Sequence, residues 1–242
     1  MGIPGFFMFI KTRYPIAVQL INTLSVIPQC DNLFIDTNTL MHDITHFRVP
    51  MPAKISYEVF ASRMMYELDQ IITLLNPQKL LYIAVDGTAP RSKLSPQRSY
   101  TIRCEEEADD SNETDEDPEL LDVMNLTPGM EVMEHVSNIL QYYISLRIST
   151  DPVWKKLTVV YSSHRCPGEG EHKIIDYLRQ TIANGTYDDN DHTMCYGGDA
   201  DLILLTLTLH KNNINIIRKD EYYDSTWEMK HLIYVTSCSV TD

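Results

Sequence analysis

The sequence predicts an α/β protein with a central, mostly parallel sheet flanked by helices, forming a single domain over residues 1–242. Apolar runs of strand length alternate with helical patterns, the signature of a parallel sheet covered on both faces. With 242 residues and 43% hydrophobic content, the chain can bury a sizeable core. Three of the apolar runs are followed by an aspartate, and ligands gather beyond the carboxyl ends of strands in open α/β sheets.

In chain order, Leu33-Phe34-Ile35-Asp36 reads as a short buried strand ending in an acid. Residues 54–75 form a helix, because Ile55, Val59, Met64/Met65, Leu68, Ile71/Ile72 and Leu75 recur at three- and four-residue spacing and Pro77 closes the run. Leu80 to Val85 is a second strand, ending in Asp86-Gly87. The segment 104–125 is acidic and without periodicity, which predicts a mobile surface loop. Thr127-Pro128 opens another helix with a cap and a proline at its first position, and Val132, Val136, Ile139/Leu140, Tyr143 and Leu146 give it an apolar face. Leu157 to Tyr161 and Thr193 to Tyr196 are further strands, with helices over 171–183 and 201–210 after them. Ile214 to Ile217 and Leu232 to Val235 are weaker strand candidates.

Formal net charge is −14, the reverse of the basic footprint usual for nucleic-acid binders. Eleven acids lie within 105–122 with no Lys or Arg among them, and without these the remainder carries only −3. The five cysteines are scattered, with no CxxC, which points to reduced thiols in an intracellular compartment, cytoplasmic or nuclear. The apolar run Phe6 to Ile10 is too short to span a membrane and has no basic leader. Phe6 stands where a myristoylation signal at Gly2 needs Ser or Thr.

Two acidic motifs carry the chemistry: Pro167-Gly168-Glu169-Gly170-Glu171-His172-Lys173 and Gly197-Gly198-Asp199-Ala200-Asp201-Leu202. Each places two carboxylates at i and i+2, which diverge by about 200° in a regular helix but share a face in extended chain. The neighbouring glycines and proline favour extended or turn backbone, so both pairs can point into one small volume. Converging acids need cations between them, and an oxygen-only set suits Mg²⁺ or Mn²⁺. The plainer alternative is a helix N-cap at Asp199 and an exposed acidic turn over 168–171. Asp36, Asp86 and Asp199 each follow a strand at the end where a shared site forms.

These residues resemble the N-terminal catalytic region of the eukaryotic 5′→3′ exoribonuclease family, within the flap-endonuclease-like and PIN-like nucleases. The matching stretches are Met1-Gly2-Ile3-Pro4 with Phe6-Phe7 and Arg13-Tyr14-Pro15, then Asp31 to Asn38 with His42, Ala84 to Lys93, Thr127-Pro128-Gly129, Pro167 to Lys173, and Gly198 to Ile203. They span nearly the whole chain in the family's order. The resemblance implies a PIN-like fold and two divalent ions, Mg²⁺ or Mn²⁺, held by Asp36, Asp86, Glu169, Glu171, Asp199 and Asp201. Two ions of this kind serve in-line phosphodiester hydrolysis without a side-chain nucleophile. It further implies that Asn38 hydrogen-bonds around the first acid and that His42 stacks on the terminal base. Read without the family, Asn38 caps the following helix and His42 lies on a helix face.

The resemblance also implies a pocket for a 5′-monophosphate, lined by Lys93, Gln97 and a flanking arginine such as Arg98. Tyr100 and Thr101 stand where the family carries two adjacent arginines; read alone, 91–103 is a solvated basic helix start. The family continues beyond this region with a further aspartate and a second block, and Asp220 and Asp224 do not fit that later pattern. Two functions follow. One is metal-dependent 5′→3′ degradation of single-stranded RNA, weakened and Mn²⁺-favoured in the absence of the second block. The other is a PIN-like module that binds RNA or a protein partner without cutting. No membrane association is expected.

Overall fold

The computed structural model describes residues 5–21, 29–45, 54–88, 120–122, 126–219 and 232–236. In chain order these form α1 (Phe6–Arg13), β1 (Val18–Ile21), β2 (Asn32–Asp36), α2 (Thr37–Thr45), β3 (Lys54–Ser56), α3 (Tyr57–Leu75), β4 (Leu80–Ala84) and β5 (Leu120–Asp122). There follow α4 (Glu131–Thr150), β6 (Thr158–Ser162), α5 (Gly170–Ala183), β7 (Thr193–Tyr196), α6 (Ala200–Leu207), β8 (Ile214–Lys219) and β9 (Leu232–Thr236).

A seven-stranded sheet has the order β1-β9-β8-β7-β2-β4-β6. From β8 to β6 all pairings are parallel, while β9 runs antiparallel to both β8 and β1. The chain lays β4 and β6 on one side of β2 and then crosses back to lay β7 on the other. This reversal opens a crevice at the carboxyl ends of β2 and β7, where such sheets take ligands.

Alternate residues along each strand feed two cores. Leu33, Ile35, Leu81, Ile83, Met194 and Tyr196 face α2, α3 and α4, whereas Phe34, Tyr82, Ala84 and Cys195 face α1, α5 and α6. α3 buries Phe60, Met64, Leu68, Ile71, Ile72 and Leu75 on one stripe. It starts where Ser56 Oγ accepts the Val59 N–H and stops at Asn76, whose left-handed backbone (φ 46°) sends its N–H back to the Ile72 carbonyl.

The amino ends of the strands are closed by paired charges. Asp31 accepts the His192 N–H at 2.9 Å, Asn32 reaches Asp191 at 3.2 Å, and Lys79 pairs with the same Asp191. Among the described residues, no helix is long and apolar enough to cross a membrane, and Cys30, Cys166 and Cys195 are free thiols.

Three expectations need correction. Residues 54–56 are a strand and not the start of a helix, because they pair antiparallel with 120–122 and leave Ser56 as the cap. That pairing also overturns the loop reading for 120–122, since Leu121 is fully buried in the larger core; 104–119 and 123–125 lie outside the described residues. Thr127-Pro128 does not begin α4. It belongs to a turn whose Gly129 has φ 100°, and the helix starts at Glu131 after Met130.

Leu121→Ala should cost about 2–5 kcal/mol, the usual loss for a buried leucine. Urea unfolding measures it, and a variant as stable as the parent would show that β5 is not packed.

Candidate metal centre

Asp36 is the last residue of β2, and Asp86 lies two residues beyond β4 on the neighbouring strand. Glu169 and Asp199 occupy the N-cap positions of α5 and α6, with Glu171 and Asp201 in the first turns. The acidic pairs are therefore not in extended chain. One member of each sits on extended backbone just outside a helix and the other just inside it, and neither Glu169 nor Asp199 uses its side chain to cap. The N-cap alternative is right about Asp199's position and wrong about its side chain.

Glycine makes the convergence possible. A β-carbon on Gly170 would stand 2.5 Å from Asp36 Oδ1 and 3.3 Å from Asp86 Oδ1, so any side chain there would displace the Asp36 carboxylate. The Gly170 N–H donates to Asp86 Oδ1 at 2.6 Å. At Gly87 a β-carbon would collide with the Cys166 carbonyl, and the Gly87 N–H donates to the Gly168 carbonyl, pinning the acidic loop beside Asp86.

Asn38 links the first two acids. Its backbone N–H donates to Asp36 Oδ1 at 3.1 Å, and its side-chain oxygen accepts the Asp86 N–H at 3.1 Å. Thr39 reaches Asp36 Oδ2 at 3.5 Å and accepts the Gly198 N–H at 3.0 Å, which ties α2 to the loop carrying Asp199. Asn38 thus does more than start a helix. His42 is exposed on α2, one turn further along.

The electrostatics reflect the crowding. Burial pushes Asp36 well above the carboxylate range, and Asp86, Glu171 and Asp199 push the same way against the Asn38 N–H. Burial also raises Asp86 to about 6, helped by Glu169 and Asp199 and opposed by the Gly170 N–H and Lys173. Asp36, Asp86, Glu169, Glu171 and Asp199 therefore share one field. Asp201 is half-buried in the first turn of α6. Lys93, Gln97 and Arg98 lie outside the described residues.

Sequence reasoning gave no role to Lys173, although it stands in the quoted motif. It is buried, and its Nζ donates to the Val85 carbonyl at 2.7 Å and the Ser163 carbonyl at 2.8 Å. A lysine one turn after Glu169 thus bolts α5 to the ends of β4 and β6. The signal available in the sequence was a cation inside an acidic motif.

The donor set fits divalent ions. Hard carboxylate oxygens converge around a glycine cradle, and burial and like charge raise the proton affinity of Asp36 and Asp86, a penalty on the charged forms that a cation would relieve. In the unfolded chain Asp86 titrates at its usual 3.8 and in the fold at about 6. Between these values the native state holds the extra proton, so the metal-free fold loses stability as pH rises through that window. Stabilisation by Mn²⁺ should accordingly be larger at pH 7 than at pH 5, read as the shift in melting temperature with and without the ion; an equal shift would contradict the raised Asp86. Gly170→Ala should reduce the Mn²⁺ shift sharply by displacing Asp36, whatever it does to the metal-free melting temperature.

The sequence matches XRN 5'-3' exonuclease N-terminus over residues 1–220. It is 38% identical to 5'-3' exoribonuclease 1 of Schizosaccharomyces pombe over 231 residues, 91% of this chain and 17% of that protein. It is 35% identical to human 5'-3' exoribonuclease 1, covering 91% of this chain and 13% of that one. Identity to 5'-3' exoribonuclease 2 of Gallus gallus is 34%, over 91% and 27% respectively. The chain therefore spans only a fraction of the length of these relatives. Among solved structures, the catalytic core of Rad2 in complex with DNA substrate is 11% identical, with 99% of this chain and 56% of that chain covered at a TM-score of 0.49. With a match over 220 residues and relatives above 30% identity, the chain belongs to the XRN 5'-3' exonuclease N-terminal family.

Proposed function

We propose that this chain is the metal-binding catalytic part of a 5′→3′ exoribonuclease that hydrolyses single-stranded RNA from a 5′-monophosphate end. The observation that carries this reading is the gathering of Asp36, Asp86, Glu169, Glu171 and Asp199 at the carboxyl end of the sheet in a member of this family. Asp201 completes the proposed ligand set. Two divalent ions, Mg²⁺ or Mn²⁺, supply when bound an activated water and a counter-charge for the leaving 3′-oxygen.

The chain's own residues position that chemistry. Asp36 and Asp86 are held side by side by Asn38 and by the Gly170 N–H. Lys173 fixes the helix carrying Glu169 and Glu171 against the strand end that precedes Asp86. His42, exposed on α2 one turn beyond Asn38, is the residue assigned to stack on the terminal base, since aromatic faces take any base. Lys93, Gln97 and Arg98 contact the 5′-phosphate through charge-assisted hydrogen bonds, an assignment that rests on sequence alone. No Ser-His-Asp or Cys-His arrangement is called for, because the water is the nucleophile.

The test is incubation of the 242-residue chain with 5′-phosphorylated and 5′-hydroxyl RNA in Mg²⁺, Mn²⁺ or EDTA. Release of mononucleotides from the phosphorylated 5′ end, abolished by EDTA, is the expected result. Loss of a ligand in Asp86→Ala removes several kcal/mol of transition-state stabilisation, so the rate should fall about 100-fold or more. Lys93→Ala should erase the preference for the phosphorylated end. RNA that is bound but left uncut in either metal would overturn catalysis and leave a binding module for RNA or a protein partner.

A further inference from the structure

We propose that Thr39 is a positioning residue of the metal centre, whose one hydroxyl sets the spacing between the Asp36 carboxylate and the loop that carries Asp199. Resting on the proposed metal-dependent reading, this assignment adds a residue that bears no charge and ligates nothing.

Three consecutive side chains in the first turn of α2 reach out of the helix. The Thr37 hydroxyl donates to the Ala84 carbonyl at 2.6 Å, and the Asn38 side-chain oxygen accepts the Asp86 N–H at 3.1 Å. Both tie α2 to the end of β4. Thr39 crosses the other way, and its Oγ1 accepts the Gly198 N–H at 3.0 Å in the connection after β7. A hydroxyl that accepts still has a proton to give, and Asp36 Oδ2 lies 3.5 Å away. Asp36 Oδ1 takes the Asn38 N–H, so each oxygen of this carboxylate has a neighbour from the same helix turn.

The packing of the loop points to the same residue. Gly198 is not in the left-handed region, so its φ does not call for glycine. Thr39 is what leaves a side chain no room: a β-carbon on Gly198 would stand 3.0 Å from Thr39 Cγ2 and 3.6 Å from its Oγ1. At Gly197 a β-carbon would meet Leu202 Cδ2 at 2.7 Å and Asp36 Cβ at 3.6 Å. The loop therefore lies against Asp36 and Thr39 at once, with Asp199 next in the chain at the N-cap of α6. Asp199 is one of the like charges acting on Asp36 and Asp86. Their repulsion drives the loop outward, and the Thr39 bond opposes that drift. Without the hydroxyl the Gly198 N–H loses its side-chain acceptor, and Asp199 moves away from the place where one cation spans it and Asp36.

The experiment is a set of Mn²⁺ binding isotherms on the full chain, with metal-free melting temperatures and amide exchange at Gly198 measured alongside. Thr39→Val keeps the shape and removes the hydroxyl, whereas Thr39→Ser keeps the hydroxyl and removes the methyl. Mn²⁺ affinity should fall about 10-fold or more in Thr39→Val, as when a group supporting a metal ligand is removed. The Gly198 amide should exchange faster in that variant, and Thr39→Ser should bind Mn²⁺ as the parent does. Gly198→Ala should also weaken binding, and less so in the Thr39→Ser background, where the obstructing methyl is gone. A Thr39→Val protein with a lower metal-free melting temperature but intact Mn²⁺ affinity would make Thr39 a packing contact only and overturn the proposal. Equal losses in Thr39→Val and Thr39→Ser would overturn it as well, because the hydroxyl would then not matter. Gly198→Ala that is as harmful beside Ser as beside Thr would deny the coupling and count against it. No Mn²⁺ uptake by the wild type would sink the metal-dependent reading together with this one.

Discussion

Everything at the carboxyl end of the sheet depends on holding like charges together against their repulsion. Two carboxylates about 4 Å apart repel by about 4 kcal/mol at the effective dielectric of a protein surface. A single charged hydrogen bond contributes about 1.5–3 kcal/mol, so no one contact offsets even one such pair. Several modest devices act together: the N–H groups of Asn38 and Gly170, the buried ammonium of Lys173, and the raised proton affinity of Asp36 and Asp86. The remaining imbalance is a repulsion between like charges that a cation would relieve.

The order of strands explains why residues so far apart in sequence share this field. β2 lies between β4 and β7, and each of the three strands delivers its following loop to the same edge. α5 enters through the connection after β6, two strands from β2, and reaches Asp36 only because Gly170 lets its first turn slide in close. Sheet topology supplies the neighbourhood, and a missing side chain supplies the last few ångströms.

Much of this was legible in the sequence because buried parallel strands and amphipathic helices are written in local patterns. Leu33 to Asp36, Leu80 to Ala84 and Thr193 to Tyr196 are apolar runs that reappear as adjacent strands. The acids at their ends were visible for the same reason. What escaped was non-local. Residues 54–56 carry a helix-compatible pattern, and only pairing with 120–122 makes them a strand. The carboxylate pairs were expected in extended chain, since spacing alone cannot show that a helix begins between their members. Lys173 looked like one more charge in a polar motif; its burial depends on two carbonyls from other strands.

The two ends of the sheet are held in opposite ways. At the amino ends Asp31, Lys79, Asp191 and the His192 N–H form matched pairs, while at the carboxyl ends charges of one sign face each other. Local opening is easiest where few favourable contacts are lost. In the absence of cations, backbone amides around the first turns of α5 and α6 therefore exchange with solvent through small fluctuations, and those near Asp31 and His192 wait for wider unfolding. A bound ion would even out this gradient, so the molecule's rigidity is itself a report of whether its acids have been neutralised.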